Sequence, residues 1–319
     1  MPASLTDCSL EKQDRRVSGE EPCSAAAVEE YCCASKGERV ATEANLIASD
    51  AGEPTVRTPW AGGRISPQAR CVRANNPSPL TYWGTNTWLL SEPGLPDCVV
   101  VDPGPLERDH LDAVHGACRA DGLRVAAVVL THDHADHAEG AEAFASRVGV
   151  PVMGRRAGTL PDGPLLFRGR GPCLEVVSLP GHSNDSVGLV FPKDESVVTG
   201  DFIFRQSSTL ICWPDGSLAQ YLEGLGLLRD LVRARCICRL LTAHGLPIDD
   251  PLGAIDRQTA HRRARLEQVR AVVDGGAGCD VDRILEGVYD DVDKRLSPAA
   301  RVNIQAQLAY LEESGKLGS

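Results

Sequence analysis

Large aromatic side chains are scarce: Phe, Trp and Tyr together make up 4% of the 319 residues. A core must therefore be filled mostly by Val, Leu, Ala and Ile, and at 42% hydrophobic residues the chain holds enough of them. No run of about eighteen apolar residues occurs, so no membrane-spanning helix is expected. No segment near the start combines basic residues, an apolar stretch and a small-residue cleavage site, so a cytoplasmic protein is expected. Positive charge is also in deficit, with 33 Lys and Arg against 44 Asp and Glu and a net charge of -11. That balance repels a phosphate backbone and argues against broad nucleic-acid binding, although a bound metal would add local positive charge. There are 12 cysteines, but no pair of CxxC knuckles, which argues against a cysteine-only zinc site. The thiols are expected to be mainly reduced. Cys236 and Cys238 alternate on an apolar stretch and are expected in the core, and Cys212 is expected to be a buried structural thiol.

Three regions differ in character. Residues 1–64 are rich in Ala, Ser, Glu and Gly and too poor in large apolar side chains to offset the entropy of ordering. A mostly disordered extension is expected there, with a short helix over 25–31. Residues 65–275 alternate strand, loop and helix patterns, which defines an α/β class. Thr87–Leu90, Cys98–Val101 and the apolar run 124–130 read as strands. Residues 138–148, 217–233 and 253–273 read as helices, with Ser217 as an N-cap. Residues 276–319 carry two amphipathic helical patterns, the second opened by Ser297-Pro298 and stopped by Gly315. A small C-terminal helical, winged-helix-like subdomain is expected to serve as a packing cap.

The chemistry concentrates in His132-Asp133-His134-Ala135-Asp136-His137, directly after the apolar run 124–130. On an extended backbone His132 and His134 point to one side, and after a turn Asp136 and His137 reach the same spot. Imidazole and carboxylate suit zinc and similar divalent ions. Further along, His182, Asp201 and His244 each follow an apolar strand by one or two residues. Strand ends in a layered α/β fold converge on one edge, so these residues are candidate ligands of the same centre. Gly181, Gly200 and Gly245 adjoin them and let the backbone turn tightly.

In their order, "THDHADH", "PGH", "TGD" and "AHG" resemble the motif set of the metallo-β-lactamase superfamily. "NNPSPLTYWGTNTWLL", "VVVDPGP" and the helical tail narrow the resemblance to the β-lactamase-like protein 2 group and its bacterial relatives, which include a mitochondrial endoribonuclease. The resemblance implies a four-layer αβ/βα sandwich with a dinuclear zinc site at one edge. It places His132, His134 and His182 on one zinc, and Asp136, His137 and His244 on the second, with Asp201 bridging. A metal-bound hydroxide would be the nucleophile, with Asp136 as the catalytic carboxylate that orients it or accepts a proton. One position departs from the pattern: many relatives have a histidine shortly after the PGH motif where this chain has Ser186.

Two zinc ions and a small-molecule thioester, ester or lactone substrate are therefore expected. The alternative is a metal-dependent endoribonuclease or phosphodiesterase, suggested by the sub-group and by the basic run "HRRAR" at 261–265, which otherwise reads as a solvated helix face. A non-catalytic binding protein is disfavoured by the complete ligand set, and a flavin-linked di-iron protein by the lack of room for a flavin domain. Trp83, Asn86, Ser208 and Thr209 are the candidate substrate contacts.

Overall fold

The computed structural model describes residues 59–316 apart from Arg168, Asp291 and Val292, together with the backbones of two short paired strands, β1 (Leu46–Ala48) and β2 (Pro54–Val56). The expected helix over 25–31 lies outside the described residues.

Two sheets stack face to face. The first runs in the order β3 (Gly62–Arg64), β4 (Ala69–Arg73), β5 (Asn86–Ser91), β6 (Asp97–Val101), β7 (Arg124–Val129), β8 (Val152–Met153). The second runs β9 (Gly163–Leu165), β10 (Leu174–Ser178), β11 (Val187–Phe191), β12 (Ser196–Gly200) and β13 (Arg239–Thr242), taken from its far edge. β3 pairs with β4 ahead of residue 65, where order was expected to begin.

Side-chain alternation divides each central strand between two cores. Trp88, Leu90, Val99 and Val101 meet Leu189, Phe191, Val198 and Leu241 between the sheets. Leu89, Cys98, Val100 and Val128 face outward, under the helices α1 (Arg108–Ala120) and α3 (Ala141–Val148). On the opposite flank Val190, Val197 and Leu240 pack under α4 (Leu218–Ala234) and α5 (Pro251–Val272). Strands buried on both faces explain the continuous apolar runs of the sequence, and the layering is the expected αβ/βα sandwich.

The expected helix over 138–148 is broken into α2 (Ala135–Ala138) and α3. Gly140 sits at the break, where its N–H donates to Gly104 O at 2.9 Å and an added Cβ would lie 2.9 Å from Pro105 O. Cys236 and Cys238 are exposed rather than in the core, because β13 begins only at Arg239 and the preceding turn directs Ile237 inward between them. The tail forms α6 (Val281–Val288) and α7 (Ser297–Glu313), whose Ile284, Val288, Ile304 and Leu311 share one core with Leu225, Leu266 and Val269. The second of these helices starts at Ser297-Pro298 as expected, and among the described residues 276–316 form no strand that could serve as a wing.

β6 and β7 run parallel, as do β12 and β13, so the carboxyl ends within each pair share one edge. Asn86 N–H donates to Ala243 O at 2.7 Å and Val187 N–H to Thr131 O at 2.9 Å, so the two sheets are stitched together at that edge. All seven candidate ligands lie on the segments that leave it, two of them on the single turn of α2.

Candidate metal centre

The loop after β7 begins with Thr131 and His132, both buried. His134 is the extended residue that starts α2, whose single turn carries Asp136 and His137. His182 follows the turn at Gly181, where φ is +147° and an added Cβ would lie 2.6 Å from Tyr221 Cα. Asp201 leaves β12 through Gly200, whose added Cβ would lie 2.5 Å from Thr131 Oγ1, so only glycine lets that loop approach so closely. His244 follows β13 by two residues.

These side chains converge. His134 Nδ1 lies 3.0 Å from His132 Nε2 and 3.0 Å from His182 Nε2. His244 Nε2 is 3.2 Å from Asp201 Oδ1 and 3.3 Å from Asp136 Oδ2, while His137 Nε2 is 3.4 Å and 3.5 Å from the same two atoms. His182 Nε2 is 3.6 Å from Asp201 Oδ2. The donor atoms of His132, His134 and His182 all lie within 4.8 Å of one another, as do those of Asp136, His137 and His244, and those of His132, His137 and Asp201. The structure thus brings together every residue expected to hold metal.

Contacts on the far side of three of the rings decide which nitrogen presents a lone pair. Asp102, with φ at +50°, directly follows β6 and is almost fully buried. It accepts from Thr131 N at 2.8 Å, Thr131 Oγ1 at 2.6 Å and His137 Nδ1 at 2.9 Å. Thr131 Oγ1 in turn lies 3.1 Å from His132 Nδ1, and His182 Nδ1 donates to Leu210 O at 2.6 Å. With the protons held on Nδ1, the Nε2 atoms of His132, His137 and His182 are left as acceptors aimed at the centre, the usual arrangement behind metal-binding histidines.

The electrostatics of the bare protein point the same way. Burial, together with the neighbouring His137 and His182, holds His132 well below its ordinary pKa. Burial lowers His182 as well. Burial also disfavours the cation of His244, yet Asp201 and Asp136 push its pKa up to about 9. His137 is likewise raised well above its usual range, against the pull of burial, by Asp201, Asp136 and Asp102. Asp201 and Asp136 are held low despite burial, through His244 and His137. In the bare protein the two carboxylates thus favour protons on His137 and His244, and a bound ion would displace those protons from the nitrogens facing the centre. His137 Nε2 and Asp201 Oδ1 nevertheless remain buried without a hydrogen bond. Imidazole and carboxylate donors at mutual distances of 3–4 Å, with unpartnered atoms facing inward, fit divalent ions.

The candidate substrate contacts fare less well. Asn86 is fully buried and its amide is consumed: Oδ1 accepts from Trp60 Nε1 at 3.0 Å and Cys71 Sγ at 3.3 Å, while Nδ2 donates to Thr242 O and Gly245 O. It ties the first sheet to the loop of His244 and cannot reach a substrate. Thr209 is also buried, with Oγ1 donating to the backbone O of Asp201 and lying 3.5 Å from His182 Nδ1, so it positions those two residues. Trp83 and Ser208 are half-buried. Cys212 is half-buried rather than fully enclosed, with Sγ 3.8 Å from His182 Nδ1, and burial pushes its thiol up to about 12. The run 261–265 is not a continuous solvated face: Arg262 is buried with its guanidinium 5.2 Å from the Tyr221 ring centre, and Arg265 lies over Tyr289. Asp102, Thr131 and the Leu210 carbonyl are contributors that sequence reasoning missed. Asp102 was detectable as an aspartate that follows a buried strand at the edge where the other ligands gather.

Comparison with known proteins finds relatives of this fold. Residues 80–163 match the model of the metallo-beta-lactamase superfamily. A beta-lactamase-like protein 2 homolog of Drosophila melanogaster is 26% identical over 270 residues, covering 76% of this chain and 87% of that protein. An atrochrysone carboxyl ACP thioesterase of Claviceps purpurea is 25% identical over 215 residues, covering 65% of each. The crystal structure of a metallo-beta-lactamase family protein from Thermus thermophilus superposes with a TM-score of 0.64 at 22% identity, over 79% of this chain and 95% of that one. Residues 80–163 thus belong to a metallo-beta-lactamase domain, and the chain has the fold of the Thermus thermophilus protein.

Proposed function

We propose that the protein is a zinc hydrolase that binds two ions and cleaves a small-molecule thioester, ester or lactone. The observation that carries this reading is the pair of donor clusters, His132/His134/His182 and Asp136/His137/His244, joined by Asp201 between them. Bound ions would supply Lewis acidity, activating a water at neutral pH and polarising the oxygen of the scissile bond. The chain's own residues do the rest. Asp102, Thr131 and Leu210 fix the imidazole tautomers. Asp136 contacts both His137 and His244 through Oδ2 and is the most exposed carboxylate of the cluster, with a third of its side chain open to solvent. It is the residue placed to orient a water and take up its proton.

An acyl substrate is supported by the net charge of -11 and by the inward packing of Arg262 and Arg265, which leaves the basic run without a continuous face for a nucleic acid. It is supported also by the thioesterase named among the relatives. Among the described residues, no helix is long and apolar enough to cross a membrane. The test is a panel of acyl thioesters, lactones and a phosphodiester reporter, run on zinc-loaded protein with and without chelator. Chelator-sensitive acyl hydrolysis that disappears in His134→Ala and Asp201→Ala, with the circular dichroism spectrum retained, is expected. Phosphodiester turnover without acyl turnover would overturn the substrate class, and activity indifferent to chelator would overturn the metal.

A further inference from the structure

The loop between Asp201 and α4 meets the metal centre on one side and the C-terminal helices on the other. Toward the centre, Leu210 O accepts from His182 Nδ1 at 2.6 Å, and Thr209 Oγ1 donates to the backbone O of Asp201. From behind, three side chains of α5 and α7 hold the same few residues. Gln258 Nε2 donates to Ser207 O at 2.6 Å. Arg262 Nη2 donates to Thr209 O. Asn303 Oδ1 accepts from Ile211 N at 3.0 Å and lies 3.5 Å from Arg262 Nη1.

Arg262 is an expensive residue to place there. It is 4% exposed, and among the described residues no carboxylate pairs with it. Burying a guanidinium without a counter-charge costs far more than burying an apolar side chain of similar length. Packing alone would be served better by Met or Leu at a position surrounded by Tyr221 and the helix core. What Arg provides and they do not is a fork of donors that joins two elements at once, the carbonyl of Thr209 on the loop and the amide of Asn303 on α7.

We propose that Gln258, Arg262 and Asn303 are positioning residues of the metal centre. They fix the backbone of 207–211, and through the Leu210 carbonyl they set the tautomer and aim of His182. The helical tail, beyond capping the core, thereby helps to build the site, which the loop alone does not shape. This rests on the proposed function, in that it needs a centre that takes metal.

The test uses the full chain and zinc ion, with affinity read by competition against a chromophoric chelator and thermal unfolding read separately. Asn303→Leu removes the acceptor for Ile211 N–H, whereas Asn303→Asp keeps it. Loss of an outer partner of a ligating histidine lowers metal affinity by roughly 10–100-fold. Asn303→Leu and Arg262→Met are expected to weaken one of the two binding events by that factor and leave the other unchanged, and Asn303→Asp to restore it. If Arg262→Met fails to fold, the half-buried Asn303 pair decides alone. A purely packing role predicts the reverse order, with Leu at 303 harmless and Asp harmful. Wild-type zinc affinity in Asn303→Leu, or an equal loss in Asn303→Asp, overturns the proposal while leaving the metal centre intact. A wild-type protein that binds no zinc overturns both.

Discussion

Asp102→Asn changes one atom in a residue that touches no candidate ligand atom facing the centre, and it should still disable half of the site. Asp102 Oδ1 accepts from Thr131 N, and Oδ2 accepts from Thr131 Oγ1 and His137 Nδ1. An asparagine has one acceptor oxygen for these three donors. If that oxygen replaces Oδ2, the amide nitrogen faces the Thr131 N–H and a buried pair of donors is left opposed. If it replaces Oδ1, the amide nitrogen faces His137 Nδ1, which must then give up its proton to Nε2, the atom aimed at Asp136 and Asp201. The first outcome leaves buried groups unsatisfied at a cost of about 1–3 kcal/mol. The second blocks the lone pair needed for a metal, and affinity should fall by about 10–100-fold. Asparagine tolerates a positive φ as well as aspartate does, so the backbone at +50° adds no cost of its own. Zinc affinity by chelator competition and the thermal midpoint of the metal-free protein separate the two outcomes. Unchanged affinity together with an unchanged midpoint would refute the tautomer argument.

Other consequences of the same geometry can be measured directly. In the metal-free protein, the His244 pKa is raised from 6.5 to about 9, and a raised group stabilises fully below its unfolded pKa and loses that contribution as pH climbs through the folded one. That shift is equivalent to about 3 kcal/mol at 1.36 kcal/mol per unit, lost between roughly pH 6.5 and 9. His132 and His182 are held low by burial, so they work in the opposite sense and erode stability as pH falls below 6.5. Thermal unfolding of chelator-treated protein should therefore be most resistant near pH 6.5, and a midpoint that rises steadily to pH 9 would contradict the raised His244. Zinc binding at pH 7.5 should release protons from His137 and His244, detectable as a buffer-dependent heat in calorimetry, and a buffer-independent heat would count against their assigned charge. Gly200→Ala places a Cβ 2.5 Å from Thr131 Oγ1 at φ +53° and should destabilise the fold by about 2 kcal/mol or more while also lowering zinc affinity. Stability loss with no change in affinity would mean that Thr131 is not the link to His132.

The candidate metal centre was legible in the sequence because its residues obey a rule that survives folding. Each donor lies on the segment that leaves an apolar strand, and strand ends in a layered sheet have one edge to go to. What lies around the centre does not obey that rule. Asn86 looks like a polar residue free to meet a substrate, but it occupies the seam where Thr242 and Gly245 approach from 156 and 159 positions away, and their carbonyls absorb its amide. No local pattern encodes that approach. The basic run at 261–265 looks solvated because polar residues crowd together there, yet the helix turns Arg262 and Arg265 inward and leaves Arg263 outside. Periodicity would have separated them, had the partner surface been known. The cysteines at 236 and 238 misled for the converse reason: alternation implies a strand only where a strand forms, and here the ladder begins one residue too late.

The pattern of success and failure has a common physical cause. Metal ligands are short-range donors that must come from fixed strand ends, so their spacing is constrained by the backbone alone. Residues that orient them act through carbonyls, hydroxyls and amides contributed by whichever loop passes behind, and almost any polar residue at many positions could do so. Asp102 stands between the two cases. It follows a strand at the same edge as the ligands, but its carboxylate accepts from Thr131 and His137, and its backbone takes a left-handed conformation. An aspartate at the ligands' own edge thus serves to hold the proton of a neighbouring histidine, a role its sequence position alone does not distinguish from that of a ligand.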